Sequence, residues 1–246
     1  MLSLTGDFIK ILVGPEPPLS LRVHKDLICN SSAFFKSALS HDWKESQEQT
    51  VRLVEEDPEI VKLYIHWLYP GRIFEFSEKS KDNGNKQYLK CAKAYVLGDR
   101  LQDGGFCDAA VDVFMDGCQQ AVWDVADTGF CSERVIIYIY ENTTESSKLR
   151  ELLVDVFAYH GDPYWIPKSG APEFAHSIAS KLLYVTQDID ERKEPTRTYN
   201  NCKYHNHGTD RTLCYSQWSK KRSWYEAMMR EPSDSERDTA RCHRLG

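Results

Sequence analysis

The chain has 246 residues, 41% of them hydrophobic and 12% aromatic, enough to bury one large core or two smaller ones. Its formal charge of -6 argues against a sequence-independent nucleic-acid binder, which needs a basic stripe to displace counterions. No window of about eighteen apolar residues marks a membrane span, and MLSLTGDFIKILVG lacks the basic and unbroken apolar runs of a secretion signal. These features lead us to expect a soluble, intracellular protein of the nucleus or cytoplasm. Its eight scattered cysteines then read as reduced thiols rather than a disulfide framework.

In chain order, Asp7 to Val13 (DFIKILV) predicts a strand that ends at Gly14-Pro15-Glu16-Pro17-Pro18. Leu19 to Val23 returns as its antiparallel partner. Ile9, Ile11 and Val13 share one face and Phe8 and Leu12 the other, so this strand is expected to be covered on both faces. The stretch Leu21 to Leu39 then packs a strand end, the charged turn His24-Lys25, a short helix and a second helix into nineteen residues. Phe34, Phe35, Ala38 and Leu39 recur at helical spacing after Asn30, Ser31 and Ser32, any of which can cap.

Val51 to Val54 predicts a further strand. Asp57-Pro58 opens the cleanest helix, with Asp57 as N-cap and Pro58 at N1, and Pro70-Gly71 closes it. Ile73, Phe74 and Phe76 suggest a short edge strand, and Ser77 to Lys86 reads as a solvated loop. Helices are expected from Tyr88 to Gly98, around Phe106 to Phe114, over ERVIIYIYEN after Ser132, from Leu149 to His160, and from Glu173 to Val185. Beyond Gln187 the apolar periodicity stops and a largely disordered, charged tail is predicted. The charge is uneven too: nineteen basic and twenty-seven acidic residues precede Gln187, and twelve and ten follow from it.

Taken together, the hairpin, two short helices, third strand, capped helix and further helices give the element order of a BTB/POZ domain. Asp7-Phe8, Val23-His24-Lys25-Asp26-Leu27, Ser32-Ala33-Phe34-Phe35, Trp43-Lys44-Glu45-Ser46, Asp57-Pro58-Glu59 through Gly71, and Tyr95 through Leu101 resemble that family's pattern, in the form abundant in fungi. The resemblance implies an α+β BTB/POZ fold over residues 5–120, a small mixed sheet capped by helices. An all-α extension over 121–186 and the tail over 187–246 would follow. It also implies a protein-interaction module that forms homodimers and, in many relatives, serves a cullin scaffold as substrate adaptor of a ubiquitin ligase. Asp7, His24, Lys25, Phe34 and Phe35 fall where such domains meet each other, Asp7 and Lys25 matching a charged pair near the dimer groove. The plainer reading of that pair is a purely structural one fixing the hairpin to the first helix, since buried pairs more often serve architecture than recognition.

No catalytic set is legible: Glu45, Asp155 and His160 stand in no nucleophile elbow, zincin helix or nucleotide loop, and no cofactor motif occurs. The tail carries Cys202, His205, His207 and Cys214, four residue types that ligate zinc. Their spacing fits no standard finger, and a solvated Cys/His-rich tail is the plainer reading. Lys220-Lys221-Arg222, followed by Trp224 and Tyr225, leaves open an alternative function as a BTB-dimerised, transcription-associated or nucleic-acid-binding regulator.

Overall fold

The computed structural model describes residues 6–40, 44–69, 71, 73, 81–123, 131–161, 166–168, 170–187, 202–207 and 214. Its strands are β1 (Phe8–Val13), β2 (Leu19–His24) and β3 (Thr50–Leu53), in the order β2-β1-β3. β2 runs antiparallel to β1, with Ile11 opposite Leu21, and β3 runs parallel to it, with Ile11 opposite Val51. This is a small mixed sheet. Gly14 makes the turn out of β1 at a φ of +80°, a region that glycine enters without the Cβ penalty, and its N–H donates to the Leu53 carbonyl at 3.1 Å.

Two short helices, α1 (Lys25–Ser31) and α2 (Ala33–Ser40), follow the hairpin, and α3 (Lys44–Glu48) precedes β3. Of the three possible caps before α2 the fold uses Ser32. Its Oγ accepts from the Phe35 N–H at 3.1 Å and donates to the Leu101 carbonyl at 2.5 Å. α4 (Pro58–Leu68) starts as its sequence predicts, the Asp57 carboxylate accepting from the Glu59 N–H at 3.0 Å and Pro58 occupying the first turn.

Five longer helices complete the described chain: α5 (Lys81–Arg100), α6 (Gly104–Trp123), α7 (Glu133–Asn142), α8 (Lys148–His160) and α9 (Pro172–Gln187). ERVIIYIYEN is helical as expected. Ser147 caps α8 and the Gly161 N–H closes it on the Phe157 carbonyl at 2.8 Å. The solvated loop expected over 77–86 is corrected for its second half, because α5 already begins at Lys81. Asn85, a poor helix former, accepts there from the Ser132 N–H at 2.8 Å, a tertiary contact that offsets weak local propensity. The edge strand suggested near Phe74 and Phe76 lies outside the described residues.

The buried side chains form one contiguous cluster, from Ile9, Ile11 and Val13 through α4, α5 and α6 to α8, Phe174 and Ile178 of α9, and Tyr204. α6 runs across residue 120, where a domain boundary was expected, and packs on α5 and α8 alike. β1 is covered on one face only: Ile9, Ile11 and Val13 are buried while Phe8 and Lys10 face outward, so the expectation of two covered faces is corrected. Among the described residues the buried cluster lies against the Ile9, Ile11 and Val13 face of β1.

Candidate interaction surface and Cys/His cluster

At one end of the hairpin three aromatic rings come together. Phe8 stacks on His24 with centroids 4.1 Å apart, and His24 Nδ1 lies 2.9 Å from the Tyr69 hydroxyl. Phe8 is 53% exposed and Tyr69 39%, so the group presents apolar ring surface outward around a polar imidazole. Register produces it: Phe8 pairs with His24 across β1 and β2, and Tyr69 terminates α4. Of these only His24 was singled out from sequence. The alternation in β1 places Phe8 on a face expected to be covered, and nothing in the local pattern signals Tyr69.

Asp7 and Lys25 meet through the main chain, the Lys25 N–H donating to the Asp7 carbonyl at 2.8 Å. Among the described residues no ion pair links their side chains. Phe34 is half-buried against the core, whereas Phe35 is fully buried at the heart of α2 and is a packing residue rather than a surface contact. Its ring meets Phe34 edge-on at 5.3 Å. The corner between α1 and α2 is tied to the corner between α5 and α6 by the buried Asp103. The Asp103 Oδ2 accepts from Ser31 Oγ at 2.6 Å and the Tyr64 hydroxyl at 2.9 Å, while Oδ1 caps α6 through the Phe106 N–H at 3.1 Å.

The second constellation lies in the segment expected to be a disordered tail; its described residues are instead packed on α6 and α8. Cys202–Tyr204 form a single 3-10 turn, and the Tyr204 ring is 1% exposed. Its hydroxyl donates to Asp155 Oδ2 at 2.9 Å; Lys203 pairs with the same oxygen, and Lys181 reaches Oδ1 at 3.2 Å. Burial alone would raise the Asp155 carboxyl, and the two lysines and Tyr204 bring it below the ordinary range. On the other side the Asn206 N–H donates to Asp108 Oδ1 at 2.7 Å, and His205 Nε2 lies 2.8 Å from Asp112 Oδ1. Burial pushes Asp108 up to about 6, with His205 acting against it. For His205 burial works downward, and the hydrogen bond and charge of Asp112, helped by Asp108, overcome it and raise the imidazole to about 9.

Held this way, Cys202, His205, His207 and Cys214 converge so that one donor atom from each lies within 4.8 Å of all the others. The two sulfurs are 4.0 Å apart, and Cys214 Sγ is 3.3 Å from His205 Nδ1. Composition flagged these four residues. Their convergence depends on Tyr204, Asp108, Asp112 and Asp155, which no local pattern links to them.

The remaining candidates do not form a site. Asp155 is committed to Lys203, Tyr204 and Lys181, while Glu45 lies in α3, apart from the Asp155 and His160 of α8. Cys29, Cys91, Cys107, Cys118, Cys131, Cys202 and Cys214 form no disulfide. Burial raises the Cys91 and Cys107 thiols, as expected of inert core sulfurs. Lys220-Lys221-Arg222, Trp224 and Tyr225 lie outside the described residues. No described helix is long and apolar enough to cross a membrane.

Residues 10–103 match the family model of the BTB/POZ domain, a span from within β1 to the residue before α6. Curated proteins include no match to the chain. The aromatic group and the Asp103 corner thus fall in or beside the matched span, and the Cys/His cluster falls outside it.

Proposed function

We propose that this BTB/POZ-domain protein, an interaction module by family, works as a self-associating adaptor. One face would pair two copies and another would dock a cullin-type ubiquitin ligase scaffold, while the helices beyond residue 103 present the recognised protein. BTB/POZ is a family of interaction domains rather than of enzymes. The observation that carries self-association is the exposed Phe8–His24–Tyr69 group next to Lys25 and α1. Two exposed aromatic rings beside a polar imidazole form a patch that gains free energy when a partner removes it from water. The described cysteines, none of them disulfide-bonded, fit the intracellular placement that an adaptor of this kind needs.

Light scattering on the eluting 246-residue chain tests the reading. A dimer is expected for the natural chain, and Phe8→Asp, at a site too exposed to damage the core, is expected to shift it toward monomer. A strict monomer at every concentration ends the self-association reading. Capture of a purified cullin N-terminal domain tests the adaptor role separately, and failure there leaves a dimeric interaction protein of another pathway.

A further inference from the structure

We propose that Cys202, His205, His207 and Cys214 bind one zinc(II) ion in a closed structural site that clamps the C-terminal segment onto α6 and α8. Two thiolates and two imidazoles are a complete tetrahedral zinc set with no position left for water or substrate, which makes the site structural rather than catalytic. The distances fit. Zinc bonds of about 2.3 Å to sulfur and about 2.0–2.1 Å to nitrogen place tetrahedral donors about 3.8 Å apart for two sulfurs and about 3.6 Å apart for sulfur and nitrogen. The observed separations are 4.0 Å between Cys202 and Cys214 and 3.3 Å between Cys214 and His205 Nδ1.

The surroundings point the same way. His205 turns Nε2 to Asp112 and Nδ1 into the cluster, the carboxylate–histidine arrangement that fixes the tautomer and orientation of a metal-bound imidazole. His207 buries both ring nitrogens without a hydrogen-bond partner among the described residues. Burying such a group unsatisfied is costly, and a metal bond to one nitrogen removes much of that cost. The unusual spacing, with two histidines only two residues apart, works because the segment does not build its own core. Tyr204 inserts into the core of the main body, and the Asp108 carboxylate holds the Asn206 amide, so the turn is positioned before any ion arrives.

The 246-residue chain produced without a metal-binding tag, purified and dialysed, is expected to carry one zinc per chain by elemental analysis and to release it when its thiols are blocked. Cobalt(II) replacing the zinc is expected to give the intense visible absorption of a tetrahedral thiolate complex. Cys214→Ser and His207→Ala are expected to abolish stoichiometric uptake, Asp112→Asn to weaken it about 10–100-fold, and Lys62→Ala, on the exposed face of α4, to leave it intact. Folded natural protein that takes up neither ion overturns the proposal. So does zinc retained at full stoichiometry by both Cys214→Ser and His207→Ala, or a Cys202–Cys214 disulfide found by mass spectrometry in protein prepared under reducing conditions. The cobalt spectrum of the natural chain needs no variant, so a variant that fails to fold leaves the test standing.

Discussion

At the scale of single residues, two aspartates show how one side-chain type takes opposite roles. Asp103 is 2% exposed, and burial raises its carboxyl while its hydrogen bonds from Ser31 and Tyr64 act against that rise. Asp103→Ala removes the α6 cap and leaves the buried Tyr64 hydroxyl without this acceptor. A loss of about 3 kcal/mol in urea unfolding is expected, at the upper end for charge-assisted hydrogen bonds. Asp57 is half-exposed, and the Lys93 ammonium, bonded at 2.8 Å, holds its carboxyl below the ordinary value of 3.8. A carboxylate depressed in the folded state stabilises the fold above its unfolded pKa and loses that contribution as the pH falls through the folded value. Asp57→Ala is therefore expected to cost about 1 kcal/mol at neutral pH. The gap to the natural chain should close as unfolding is followed down from the ordinary carboxylate range into stronger acid. A gap unchanged in acid would contradict the assignment.

At the scale of elements, the helix boundaries that were legible are those whose ends carry their own chemistry: Asp57-Pro58 before α4 and Gly161 after α8. Where tertiary contact decides, local reading failed. Residues 81–86 are helical, with Asn85 held to the Ser132 amide, and Phe8 is exposed on the face of β1 opposite the buried Ile9, Ile11 and Val13. Gly98 shows the same dependence. It lies two residues before the end of α5 and reads locally as a stop, yet its function is close packing: a Cβ there would lie 2.8 Å from Cys107 Sγ and 3.1 Å from the Cys107 amide nitrogen of α6. Backbone cannot yield as a flexible side chain does. Gly98→Ala is expected to destabilise by about 1–2 kcal/mol, overpacking outweighing the roughly 1 kcal/mol gain in helix propensity. Gly104→Ala, where the nearest atom is an ordinary 3.6 Å away, serves as the comparison and should change the midpoint of denaturation little.

At the scale of the whole molecule, the core does not stop where the matched family span stops. α6 packs against both α5 and α8; the Tyr95 hydroxyl of α5 accepts from the Lys148 N–H at 3.1 Å, and the core cluster extends to Tyr204. That extension was illegible because its anchors are remote in sequence: Tyr204 meets Asp155 across 49 positions and Asn206 meets Asp108 across 98. A composition-based reading sees only a polar, charged stretch. If the segment around Tyr204 belongs to the core, its side chain must carry a core residue's share of stability. Tyr204→Ala then costs about 3–5 kcal/mol, as for other large aromatic truncations. Tyr204→Phe, which removes only the bond to an Asp155 still held by Lys203 and Lys181, costs about 1–2 kcal/mol. Guanidinium unfolding of the full chain and both variants, with metal chelated throughout so that the packing contribution is read by itself, separates the cases. A solvated tail predicts no loss for either variant, and a packed one predicts two losses in this order, the ring outweighing the hydroxyl.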